Sequence, residues 1–442
     1  MNNSTPLPRN SCIIDEVFDV DNITPFAGAN IIVDHLRKLD VTEALEQLSV
    51  KKAPWAEYST ATELQLLMTA YMMGIERIEH TDVMQPDPFL ALKFGLKQLP
   101  SKSNLYRVLE RFDTTEKVAE LSSINTLPLN NLISRDKLAI IDIDSTVNTV
   151  HGHQEGTTVG YNPRYHGRAS YQPLFAFEGN SKATLHAELR NGNTPNSSET
   201  ISVYQQAKAN LPNGVELGYV RADRAFPSAE FLGLLEEEEV EYTIKLRCSQ
   251  NVKERLSHGV LWKRIYFDET VAIEVGSVKL KLYNWTSPRK VVFVRQTKYA
   301  DNGQLHLLDL WDYQAIVTNL DWDAENIWRF YNQRCTCENF IKELKYGLNI
   351  DNISKASYLA NAADMWLKVL GYNILLVLMS YAPDNYQSCS IAKLQRMLFS
   401  IPGLIVKHAR RLTLRLPSWW AYKDLWLTIR SVIDCVETAS SA

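Results

Sequence analysis

The pattern of apolar and polar positions changes character twice along the chain. From about residue 28 to 120, apolar residues recur at helical spacing. "TATEL" (60–64) offers a capping box, Thr60 with Glu63, ahead of the apolar run that ends at Gly74. "LPSKSNLYRVLERF" (99–112) predicts a turn, a Ser103 cap and a short helix displaying Arg107 and Arg111, compatible with a helix-turn-helix or a plain bundle. From 137 the spacing switches to period two. "KLAIIDIDST" (137–146), "PLFAFEG" (173–179) and "ATLHAELRNGN" (183–193) predict three strands. The helix "SSETISVYQQAKANL" (197–211) follows, then the strand "ELGYVRADRAF" (216–226), the helix "SAEFLGLLEEEE" (228–239) and the strand "EYTIKLR" (241–247). Residues 248–323 carry only strand-type runs, with "DNG" (301–303) as a hairpin signal. Helical spacing returns at about 324 and continues to the end.

The order β-β-β-α-β-α-β through 137–247 is that of an RNase H-like domain. The expected fold is therefore α/β, an RNase H-like core interrupted by an all-β insertion, with helical N- and C-terminal regions. Its expected parts are a helical region 1–135, the first part of the core 136–247, the insertion 248–323, the second part of the core 324–385, and a basic helical region 386–442.

Composition changes little in this picture: 442 residues, 45% apolar and 22% charged, suit an ordinary globular protein of several units. The net charge of −4 argues mildly against a nucleic-acid partner, but the charge is segregated. Residues 1–50 hold eight acids and three bases, whereas 390–423 hold seven Lys or Arg and no acid. That segment is expected either to pack as a helix with solvated bases or to contact DNA, with Arg410 and Arg411 as its test positions. No basic-then-apolar leader opens the sequence, and the longest apolar run (369–382) is short for a bilayer and contains Asn373, so a cytoplasmic protein with no membrane partner is expected. Six cysteines form no C-x-x-C pair. Cys335 and Cys337 are two apart and do not share a helix face, which disfavours a metal clip.

Candidate chemistry centres on acids. Alternation places Asp142, Asp144 and Thr146 on one strand face, and two acids on a buried-looking strand imply either that one is solvated near the strand end or that they form a cation site. Asp223 ends another strand, where α/β folds put their sites. In "YNQRCTCENFIKELK" (331–345), read as one helix, Tyr331, Arg334, Glu338, Lys342 and Lys345 fall within an arc of roughly 80°. Phe340 and Leu344 point away, towards a core. One acid among groups suited to holding anions fits a carboxylate-bound cation flanked by phosphates. Paired acids would also serve a glycosidase, but the bases favour an anionic substrate. A site built on His151 and His153 is the less favoured metal alternative.

These residues resemble the DDE transposases of bacterial insertion sequences, in the hairpin-forming cut-and-paste group with a Tyr-(2)-Arg-(3)-Glu-(6)-Lys signature, here Tyr331, Arg334, Glu338 and Lys345. "DST" (144–146), "ADRAF" (222–226) and "HGHQEGTTVGYNPRYHGRASYQPLFAF" (151–177) add to the likeness, which covers about 135–385. The resemblance implies Asp144, Asp223 and Glu338 as catalytic metal ligands for Mg²⁺ or Mn²⁺, with two ions. It implies Tyr331, Arg334, Lys342 and Lys345 on DNA, terminal inverted repeats and target DNA as partners, and a homodimer on paired ends in the nucleoid. Asp142 and Asp144 remain alternatives as the first ligand. Trp262, Trp285 and Trp311 are the insertion's candidates for stacking on a flipped base. A transposase-derived DNA-binding regulator without cleavage activity is the alternative function.

Overall fold

In the computed structural model, which describes residues 16–435 apart from 196, 250–251, 253–258, 268–270, 283, 299–310 and 410, the period-two runs form strands. In chain order these are β1 (Ile23–Thr24), β2 (Ala139–Ser145), β3 (Asn148–Thr149), β4 (Thr158–Val159), β5 (Ala169–Tyr171), β6 (Leu174–Glu178), β7 (Thr184–Glu188), β8 (Leu217–Ala222), β9 (Glu241–Leu246), β10 (Lys263–Phe267), β11 (Val271–Leu280), β12 (Arg289–Lys298), β13 (Asp312–Thr318), β14 (Gly403–His408) and β15 (Arg411–Arg415). Nine of them make one mixed sheet, in the order β10-β11-β12-β13-β9-β8-β2-β6-β7. At its centre β2 pairs antiparallel with β6 and parallel with β8, and β8 is parallel to β9.

Residues 248–323 therefore do not form an all-β body of their own. Their four described strands continue the central sheet, because β13 adds antiparallel to β9, whose outer edge β8 leaves open. The "DNG" turn lies outside the described residues.

Alternation divides the core. Ile141, Ile143, Val220 and Ala222 pack on one sheet face with the helices Thr200–Ala209 and Ala229–Glu237. Phe175 and Phe177 enter a larger core on the opposite face, with the N-terminal helices, Cys335–Leu348 and Tyr358–Ser380. Tyr358–Ser380 runs 23 residues, so the apolar run at 369–382 belongs to a helix long enough by length and composition to cross a membrane. Its apolar window is wholly buried within the protein, as expected of a core helix. Asn373 fits there because it satisfies strand backbone: its Oδ1 accepts from Thr184 N–H and its amide donates to the Thr184 carbonyl, each at 2.9 Å.

Three local expectations are corrected. The helix Thr60–Met72 is capped by Ser59, whose hydroxyl accepts from Thr62 N–H at 3.1 Å. Glu63 is instead buried against Lys52, at 2.5 Å. The helix Lys102–Leu109 starts at Ser101, so Ser103 lies inside it. The C-terminal region is not all helical: β14 and β15 form a hairpin between the helices Ile391–Leu398 and Lys423–Asp434, and β1 pairs on the other edge of β14. The reason is legible in "LIVKHARRLTLR", where β-branched residues and period-two alternation outweigh the basic composition.

The helix Ala29–Lys38 docks on Tyr358–Ser380 through a fully buried histidine. His35 Nε2 lies 3.2 Å from the Ile374 carbonyl, and Nδ1 has no partner among the described residues. Burial, with Lys38 nearby, holds its pKa down to about 3. The unfolded chain therefore binds more protons than the folded one between about pH 3 and 6.5, and His35 should cost stability as the pH falls through that window, about 1.4 kcal/mol per unit. Urea unfolding at stepped pH checks this: His35→Gln should flatten the acid slope, and an unchanged slope would contradict it.

Candidate active site

The two acids of β2 share a sheet face but have different fates. Asp142 is fully buried and takes two bonds from Arg221, Nε and Nη2 each at 2.7 Å. Arg221 also donates to the Phe330 carbonyl at 3.0 Å and lies 4.9 Å from the Phe330 ring. Burial pushes the Asp142 carboxyl up, against the pull of Arg221. Gly179 makes room for the pair: a Cβ there would lie 2.9 Å from Arg221 Nη2 and 3.0 Å from Asp142 Oδ2. Asp142 is thus occupied in a buried bidentate ion pair.

Asp144 stands at the open end of the strand, its side chain 16% exposed. Oδ1 accepts from Ser145 N–H at 2.9 Å and lies 3.1 Å from Arg334 Nη2, which also donates to the Ile143 carbonyl at 3.1 Å. Among the described residues Oδ2 has no hydrogen-bond partner. The neighbouring parallel strand brings the second acid. Ile143 of β2 is registered beside Ala222 of β8, and the next residue on each strand is Asp144 or Asp223. Adjacent strands lie about 4.8 Å apart, so both acids leave the same sheet edge side by side.

Glu338 lies in the first turn of the helix Cys335–Leu348, four residues after Arg334, which touches Asp144. It is exposed. Burial raises the Asp144 carboxyl most; Arg334 lowers it, and the charges of Asp223 and Glu338 both push it up. The three acids therefore share one electrostatic neighbourhood with Arg334 as counter-charge. Among the described residues no three His, Cys, Asp or Glu side chains close round a common point. The donors suit a hard divalent cation in kind, being carboxylates on three separate elements with one Asp144 oxygen uncommitted.

The segment 331–345, read as one helix, is divided between two. Ala324–Asn332 ends at Gln333, and Cys335–Leu348 begins after Arg334. Across the joint the bonds are of the i→i+3 kind, from Arg334 N to Tyr331 O and from Cys337 N to Arg334 O, at 2.9 and 2.7 Å. That tighter winding breaks the single stripe. Tyr331 and Arg334 turn inward, each 4% exposed, while Glu338 and Lys342 face solvent. Burial raises the Tyr331 hydroxyl pKa. Lys345 is half-buried, 3.4 Å from the Val147 carbonyl, and burial lowers its pKa, with Asp351 opposing and Arg164 adding to the fall. It lines a cavity of about 720 Å³ with Thr146, Arg77, His151 and Arg164. Phe340 and Leu344 are buried as expected, Phe340 with its ring 5.5 Å from that of Phe177.

With this geometry in place, comparison with known proteins is decisive at family level. The sequence profile of the transposase DDE domain group 1 family matches residues 9–438. The chain belongs to that family. It is accordingly a transposase, a DNA-cleaving and strand-transferring enzyme, of a class that uses divalent metal ions. No curated protein matches. Among solved structures the transposase is similar to the piggyBac transposase in a synaptic complex with hairpin DNA seen by cryo-electron microscopy. The identity is 12% over 84% of this chain and 76% of that one, and the TM-score is 0.42. A likeness that loose carries no residue-level argument.

Sequence reasoning missed Arg221, whose signal was a lone arginine inside an apolar strand, and Gly179, which left none. It also missed Arg77 and Arg164 on the cavity wall. Cys335 is exposed and Cys337 buried beneath the acids, so the C-x-C faces two ways, as expected. Of the three tryptophans, Trp285 is buried against Arg289, while Trp262 and Trp311 flank Arg295, with ring centres 4.2 and 4.3 Å from its guanidinium carbon.

Proposed function

We propose that this transposase cuts and joins the terminal inverted repeats of an insertion sequence at a site made of Asp144, Asp223 and Glu338 on an RNase H-like core. One observation carries the reading: Asp144 leaves the sheet beside Asp223 and is held by Arg334, whereas Asp142 is closed in a buried bidentate pair with Arg221. The first acid is therefore Asp144. Magnesium or manganese, held by these three carboxylates, would activate the attacking oxygen and stabilise the leaving one. Arg334 fixes Asp144 and balances its charge. Lys342 and Lys345 are set to take DNA phosphates beside it, while Tyr331, inward and against Arg334, is set to position that arginine. Two copies on paired DNA ends and hairpin-ended intermediates are part of the proposal. Its parts are the helical N-terminal region for end binding, the strands of 248–323, and the returning helix with the third acid.

The test is cleavage of DNA carrying the sequences that flank the gene. Nicking and end-joining should need Mg²⁺ or Mn²⁺ and stop on chelation with EDTA; cutting that survives chelation would overturn the reading.

Arg334 gives a sharper expectation. Its charge is the largest influence holding the Asp144 carboxyl down. In Arg334→Met the carboxyl should protonate at higher pH, so the acid limb of the cleavage profile should move up. The rate should fall about 10–100-fold, as when a partner of a metal ligand is lost. Arg334→Lys should restore part of both. A profile that keeps its acid limb in Arg334→Met would contradict the assignment.

A further inference from the structure

The hairpin β14–β15 carries the most one-sided charge in the chain. Between Asp384 and Asp424 there is no acid. Pairing fixes which residues share a face: Leu404 stands opposite Arg415, Val406 opposite Thr413 and His408 opposite Arg411. The other face presents Ile405 and Leu414, which pack on the core. Arg411 and Arg415 are both exposed, on the solvent face of an edge strand, about 13 Å apart at strand rise. His408 stands beside Arg411 at the tip, and Lys407 is exposed behind it. Among the described residues, the side chains of Lys407, Arg411 and Arg415 make no ion pair and no hydrogen bond. Elsewhere basic side chains are spent internally: Lys93 and Arg430 pair with Asp34, and Arg289 with Glu236. The acids nearby lie on the opposite edge, where β1 pairs with β14 after Asp19 and Asp21. Trp419, 76% exposed, follows the hairpin.

Charges on an edge strand also deter aggregation, and one lysine suffices for that. Two unpaired arginines on one face of the two-stranded hairpin, with Lys407 exposed on the other, suit a larger anionic partner. Such a ribbon fits the major groove of duplex DNA. We propose that β14–β15 is a duplex-DNA contact of this transposase, with Arg411 and Arg415 on phosphates. The inference rests on the proposed function only in taking DNA as the partner; it needs nothing from the acids.

The test uses the full chain and a labelled duplex carrying the DNA that flanks the gene, with binding followed by fluorescence anisotropy between about 50 and 200 mM salt. The double variant Arg411→Gln/Arg415→Gln should lower the slope of log affinity against log salt by about 1.8, with an unchanged melting temperature. Its affinity at low salt should drop at least about tenfold. Arg411→Lys/Arg415→Lys should keep the wild-type slope, and so should Lys97→Gln/Lys137→Gln, which removes two exposed charges elsewhere. A double Gln variant with wild-type slope and affinity overturns the ribbon contact. A Glu338→Gln arm separates the two ideas: full cleavage there sinks the active-site reading, and the binding slopes still decide the ribbon.

Discussion

Asp364→Ala is expected to cost about 3–5 kcal/mol of folding stability, a large share of the roughly 5–15 kcal/mol that holds a typical domain together. Asp364 is almost fully buried near the start of the helix Tyr358–Ser380. Its Oδ2 lies 3.1 Å from Lys355 Nζ and 3.2 Å from Lys368 Nζ, and its Oδ1 accepts from the Tyr71 hydroxyl at 2.5 Å. Burial raises this carboxyl, but the two ammonium groups overcome it and hold the pKa down. One acid thus serves two buried cations. Alanine would leave both lysines buried with no counter-ion, the costly way to break such a cluster.

A pH signature separates this cause from lost packing. Lys355 already sits below its ordinary pKa because of burial, and loss of Asp364 would push it lower. The unfolded chain would then bind more protons than the folded one at mildly alkaline pH, so the variant should recover stability as the pH rises. Urea midpoints across that range check it. A loss under about 1 kcal/mol, or no recovery with pH, would contradict the account. The cluster also bears on function: Lys368 donates to the carbonyls of Asn349 and Asn352, and that loop lines the cavity that Lys345 enters.

Much of this architecture was legible because its causes are local. The alternation of "KLAIIDIDST" put Asp142 and Asp144 on one face, and it placed Ile141 and Ile143 in the core. The main strands and helices from 137 to 247 followed from spacing, but the small sheet β3-β5-β4 did not, its strands being only two or three residues long. The buried helix was readable from its apolar length, although Asn373 hid its role until Thr184 stood opposite it. What failed to show was non-local or a matter of phase. Asp142 and Arg221 are 79 residues apart, so no window could tell a salt-bridged acid from an open one. The helix break at Gln333–Arg334 rests on a few i→i+3 bonds, too little to disturb the residue pattern yet enough to turn Arg334 inward. The strands of 248–323 looked like a separate unit because sequence does not say which sheet edge is open. The β14–β15 hairpin was overlooked because charge was weighed above alternation.

Glu338→Gln should have the largest effect on activity. The substitution keeps side-chain size on an exposed helix position, so it should leave folding intact. It removes one of the two acidic charges that converge on Asp144, and with it a carboxylate donor for the cation. Losing a ligand should cost more than the roughly 10–100-fold that follows loss of a ligand's partner. DNA affinity should hold or rise slightly, since a negative charge leaves a surface meant for phosphates. The exposed bases Lys342 and Arg411, which do not depend on Glu338, should go on binding DNA. The decisive measurement is single-turnover cleavage of flanking-sequence DNA in Mg²⁺ by the wild type and by Glu338→Gln, with binding followed on the same samples. The account predicts that the variant binds as the wild type does and fails to cut; cutting at the wild-type rate would contradict it.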